Sequence, residues 1–89
     1  CLSHLGYRYD ESKKISDAVL AEQSRNIDLI LGGHTHTFLD TPEQFKNLEG
    51  RKVLVAQTGF GGIRLGRIDF FIDCKSGKIS HENNTVKIS

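Results

Sequence analysis

Two histidines stand one residue apart in the stretch DLILGGHTHTFLD, residues 28–40, directly after an apolar run and two glycines. In extended backbone, residues i and i+2 point to the same side, so His34 and His36 aim together unless the loop curls. Neutral imidazole nitrogens are ligands for transition metals, with Zn–N bonds of about 2.0–2.1 Å. A third imidazole, His4, closes the opening segment CLSH. A lone histidine at a strand end is more often a capping or packing residue than a ligand. Three on one edge, two of them spaced H-x-H, favour metal binding.

The elements around them have to put His4 on that edge. Residues 1–4 read as the end of a strand, followed by the loop LGYRYDES. Residues 12–25 read as a helix capped by Ser12 or Ser16, with Ile15, Ala18 and Val19 as its apolar stripe. IDLIL, residues 27–31, is short, apolar and bounded by Gly-Gly, which predicts a strand buried on both faces. Strand, helix, strand is a βαβ unit, whose parallel strands end on one edge. Neighbouring strands lie about 4.8 Å apart, so His4 and His34 come close despite the thirty residues between them. Ligand sites in open α/β sheets collect at this carboxyl edge. Gly32 and Gly33 allow a sharp turn there and keep bulk away from an ion.

Beyond the histidine loop, PEQFKNL suggests one helical turn with Pro42, the only proline, at its start. RKVLVAQTG and IRLGRIDFFID read as strands. The second pairs with a last strand over residues 78–88, in a hairpin across Lys75-Ser76-Gly77. His81, in the polar SHENN, reads as a surface residue. Arg8 can reach an anionic ligand, but a solvated loop cation is the simpler role. Tyr7 and Tyr9 can stack on an aromatic ligand, but packing is the simpler role. TGFGG, residues 58–62, either lines the pocket or forms a plain turn. Asn83-Asn84-Thr85 matches a glycosylation acceptor, a weak three-residue pattern.

The chain has 89 residues, a net charge of +1 and 37% apolar residues, the size of one small domain. Its charges are interspersed, against a dedicated surface for a nucleic-acid polymer. No apolar run reaches the ~18 residues of a membrane helix, and no basic segment followed by an apolar run opens the chain. Cys1 and Cys74 are too few for a disulfide framework and read as free thiols. CLSHLG begins as if in mid-strand, so residues 1–89 are expected to be part of a longer chain.

The ordered set SHLG, βαβ, GGHTH and VLVAQTGFGGIRLGRIDFFID resembles the calcineurin-like metallophosphoesterase superfamily, within it the catalytic domain of bacterial 5′-nucleotidase-type phosphatases. The likeness runs over most of the chain. It implies an α/β fold: a βαβ unit followed by β-strands, the C-terminal half of a two-sheet sandwich with outer helices. It also implies two divalent metal ions, Zn, Mn or similar. His4 and His34 would ligate one and His36 the other. The substrate would be a small phosphorylated molecule such as a nucleotide, and the location extracytoplasmic, as in the periplasm. The family's D-x-H, G-D-x-x-D and G-N-H motifs do not occur in these residues, and Asp10, Asp17, Asp28 and Asp40 lie outside the ligand set. The 89 residues alone are therefore expected to be inactive, and to self-associate or depend on the N-terminal half. The alternative functions are a non-catalytic metal-binding or interaction module, and a structural α/β segment whose histidines only make hydrogen bonds.

Overall fold

A computed structural model describes residues 1–11 and 14–88. Helix α1 spans Asp17–Gln23, and strands follow at Leu29–Leu31 (β1), Glu43–Lys46 (β2), Lys52–Ala56 (β3), Arg64–Ile72 (β4) and Ile79–Lys87 (β5). One sheet has the order β1-β3-β2, with β1 parallel and β2 antiparallel to β3. Strands β4 and β5 form a separate antiparallel hairpin. The architecture is α/β with two sheets, as the sequence predicts.

The opening segment is shorter than a strand. It makes one parallel bridge, Leu2 to Leu31, with Ser3 N–H donating to the Leu31 carbonyl (2.8 Å) and Leu31 N–H to the Cys1 carbonyl (2.9 Å). Those bonds preserve the parallel strand–helix–strand relation and set the carboxyl ends of both segments side by side.

The helix is also shorter than predicted. Ser16 caps it, its hydroxyl accepting from Val19 N–H; Ser12, the other candidate cap, lies outside the described residues. The stripe differs too. Ile15 and Val19 are exposed, and Ala18 and Ala21 face the sheet. Small side chains let the helix approach closely, and the core forms from Ala18, Ala21, Ile30, Phe45, Val53 and Val55. Apolar periodicity alone cannot tell which side of so short a helix has room for the sheet.

Residues 43–46, predicted as helical, form β2 instead. Phe45 pairs with Val53 and buries its ring under α1. Alternation places Gln44 and Lys46 on the opposite, exposed face, Glu43 is exposed at the strand's start, and edge pairing satisfies a backbone that a single helical turn would leave half unbonded. The strand in IDLIL is fully covered on one face and partly on the other: Ile30 is fully buried, whereas Leu29 is half-buried and Leu31 exposed. Leu54, on the face opposite Val53 and Val55, is closed over by the hairpin, and borders a cavity with Phe70, Ile79 and His81. The hairpin reaches Leu54 but leaves Leu31 open.

The turn between β4 and β5 falls at residues 73–78, with Gly77 N–H donating to the Asp73 carbonyl (2.7 Å). The Asp73 carboxylate accepts from Lys75 and Ser76 N–H, and these bonds hold its pKa below the usual value. No helix among the described residues is long and apolar enough to cross a membrane. Cys1 and Cys74 are free and exposed.

Candidate metal centre

The parallel segments deliver their histidines together. The rings of His4 and His34 lie 5.0 Å apart, centroid to centroid, tilted by 58°. Two imidazoles bound to one ion at about 2.0–2.1 Å put their ring centres roughly 5 Å apart, so this pair fits a shared cation. Gly33 lies beside this pair, and a Cβ there would meet His4 Nδ1 at an ordinary contact distance of 3.7 Å.

The loop between β1 and β2 does curl. His34 (φ 71°) and His36 (φ 51°) both occupy the left-handed region, so the extended geometry that would aim them together does not hold. The sharp conformation predicted for Gly32 and Gly33 falls on the histidines themselves, and Gly32 provides clearance instead. A Cβ at Gly32 would run into the Asp17 carboxylate. His36 turns toward Phe60, with ring centroids 5.1 Å apart, and Phe60 meets Phe38 edge-on at 5.6 Å. Among the described residues, no three His, Cys, Asp or Glu side chains converge closely enough to hold an ion. His4 and His34 are thus brought together, and His36 stands apart from them against Phe60.

Left-handed backbone costs an L-residue about 1 kcal/mol or more, and glycine almost nothing. His36→Gly and His36→Ala remove the same imidazole. The glycine variant is expected to be the more stable by about 1 kcal/mol in denaturant unfolding. Equal stabilities would show that the curl is not populated in solution.

Beneath the loop lie two buried polar side chains that the sequence analysis did not single out. Asp17 is fully buried at the first position of α1. One of its oxygens accepts from the Ser3 hydroxyl, next to His4, and the other has no hydrogen-bond partner among the described residues. The helix N-terminus offsets part of the cost of burying this charge. Gln57, also buried, follows β3 and reaches under the histidine loop. Its Nε2 donates to the Gly33 carbonyl (3.2 Å) and Thr35 Oγ1 (3.3 Å), and its Oε1 accepts from Thr37 N–H. The available signal for each was a polar residue where topology demands burial: Asp17 beside the cap, Gln57 directly after the apolar VLVA.

The remaining candidates fall elsewhere. Arg8 lies over the rings of Tyr7 and Phe45, 5.7 Å from each centroid. Burial and the neighbouring Glu43 carboxylate push the Tyr7 phenol's pKa up. Tyr9 donates to the Leu5 carbonyl (2.6 Å) and carries Lys14 over its ring. Both tyrosines are thus occupied in packing. Asp40 pairs with Arg64 at 3.0 Å. His81, read as a surface residue, is half-buried beside Phe70, bordering a cavity with Asp28, Arg51 and Lys52 at the other end of the sheet. TGFGG forms the turn, with Gly59, Gly61 and Gly62 at positive φ, and its Phe60 lies against His36. The Asn83-Asn84-Thr85 pattern lies within β5.

The chain is similar to segments of known proteins. The trifunctional nucleotide phosphoesterase YfkN of Bacillus subtilis is 40% identical over 87 residues, which are 98% of this chain and 5% of that protein. The 5′-nucleotidase of Homo sapiens is 28% identical over 101 residues, covering 99% of this chain and 16% of its own length. The crystal structure of a 5′-nucleotidase precursor from Thermus thermophilus matches with a TM-score of 0.72 at 28% identity, over 80% of this chain and 16% of that one. The chain is of the 5′-nucleotidase type. No protein-family model matches it. This 5′-nucleotidase-type segment spans between 5% and 17% of the length of the curated relatives it matches. An apyrase of Aedes albopictus, 32% identical over 90% of the chain, matches it as well.

Proposed function

We propose that the protein containing this segment is a divalent-metal-dependent phosphomonoesterase acting on nucleotides. His4 and His34 ligate one ion, Zn or Mn, and His36 contributes to a second. The observation that carries the reading is the His4–His34 pair, brought to ion-sharing distance by two parallel segments thirty residues apart. Relatives named as nucleotide phosphoesterases and 5′-nucleotidases support the substrate class. Relatives from snake venoms support an extracytoplasmic location.

A loaded dinuclear site supplies concentrated positive charge for phosphate oxygens and a bound water acidic enough to attack near neutral pH. The chain's own residues prepare that site. Neutral imidazoles hold cations without placing negative charge beside an anionic substrate. The Ser3–Asp17 bond fixes the backbone from which His4 projects. Phe60, itself packed edge-on by Phe38, lies against His36.

The full-length gene product is expected to release phosphate from nucleoside 5′-monophosphates with Mn²⁺ or Zn²⁺, and to stop on chelation. His34→Ala is expected to lower turnover at least ~100-fold, the upper end of what even an outer-shell change costs a metal site. Chelator-resistant hydrolysis, or an unaffected His34→Ala variant, refutes the proposal. Tight metal uptake without hydrolysis identifies the non-catalytic metal-binding module instead.

A further inference from the structure

We propose that Gln57 is a positioning residue for the metal centre: its buried carboxamide sets the curl from which His34 and His36 project, and so the site's affinity for its ions. The inference rests on the metal-site reading above.

The three contacts of Gln57 fall at Gly33, Thr35 and Thr37, the residues that alternate with the two histidines. One side chain thus holds every spacer of the loop and neither ligand. The curl needs such a support, because two L-residues in left-handed backbone are intrinsically disfavoured. Gln57 is only 3% exposed, so water has little access to its bonds. Its orientation is dictated, with the donor end meeting two acceptors and the acceptor end meeting one N–H; reversed, it would face oxygen with oxygen. Glutamate can accept from Thr37 but cannot donate to Gly33 or Thr35. Leucine fills the space and makes none of the bonds, leaving buried groups unpaired. Thr35 extends the network: its hydroxyl accepts from Tyr7 N–H (3.0 Å) and bonds to the Thr37 hydroxyl (2.8 Å). The loop is thereby tied to the segment that follows His4.

The test uses full-length protein with Co²⁺ as probe, comparing wild type, His34→Ala, Gln57→Glu and Gln57→Leu. Affinity comes from chelator competition, ligand geometry from the visible absorption bands, and folding from thermal unfolding. Folded Gln57 variants are expected to bind Co²⁺ about 10–100-fold more weakly, with altered bands. A folded variant with wild-type affinity and spectrum overturns the inference, because a side chain that merely packs would lower the unfolding temperature and leave both unchanged. If both Gln57 variants fail to fold, Thr35→Val removes one contact only. It is expected to weaken Co²⁺ binding several-fold, and an unchanged affinity and spectrum overturn the inference. Wild-type protein without His34-dependent Co²⁺ uptake refutes the metal-site reading and this inference together. Normal uptake with unaltered Gln57 variants refutes this inference alone.

Discussion

Assayed alone, residues 1–89 are expected to hydrolyse no phosphate ester at an enzymatic rate, even with excess Mn²⁺ or Zn²⁺. Hydrolysis of the proposed kind would need two divalent ions, each held by several ligands. This segment supplies one imidazole pair and a third imidazole directed at Phe60. No third ligand-type side chain among the described residues joins the pair. Two of the carboxylates are bonded elsewhere: one oxygen of the buried Asp17 accepts from Ser3, and Asp40 is paired with Arg64. Metal charge lowers such barriers by several kcal/mol, so losing the second ion costs roughly a thousandfold or more. A chromogenic phosphate ester and a continuous assay are sufficient to check it. Metal-dependent turnover at phosphatase rates by the purified segment would sink the ligand assignment.

The same 89 residues are expected to associate at micromolar concentration rather than sediment as a monomer. The molecule measures 41 × 35 × 16 Å, and its radius of gyration is 13.6 Å, against about 12 Å for a compact chain of this length. It is a thin slab. Leu2 is 85% exposed at the outer edge of the β1-β3-β2 sheet, and Leu31 beside it is 42% exposed, at the end of the face that the hairpin does not fully cover. The hairpin exposes Leu65, Phe71, Ile72 and Val86 in turn. At roughly 25 cal/mol per Å², a few hundred Å² of such surface is worth several kcal/mol, comparable to the ~5 kcal/mol at the low end of domain stability. The segment at residues 1–3 also presents an unpaired edge, a template for another chain. Sedimentation velocity checks this directly. A compact monomer with one cooperative unfolding transition would contradict the expectation.

The sequence by itself determined the strand–helix–strand frame, because short apolar runs bounded by glycine are governed by local chemistry. It also determined that His4 and His34 meet, because parallel strands must end on one edge whatever lies between them. The hairpin across Lys75-Ser76-Gly77 was equally local: turn residues between two β-rich runs leave little choice. Only the tertiary structure decided the rest. Residues 43–46 became a strand because β3 offered them an edge and α1 offered Phe45 a pocket, neither of which can be read from PEQFKNL. Helix α1 turned Ala18 and Ala21 inward because the sheet lies too close for larger side chains. His34 and His36 took left-handed backbone, and parted, within a loop held from below by Gln57, a residue twenty positions from Thr37. That separation is the physical reason: hydrogen bonds between distant buried groups leave no periodicity in the sequence, and appear only once the strands carrying them are packed.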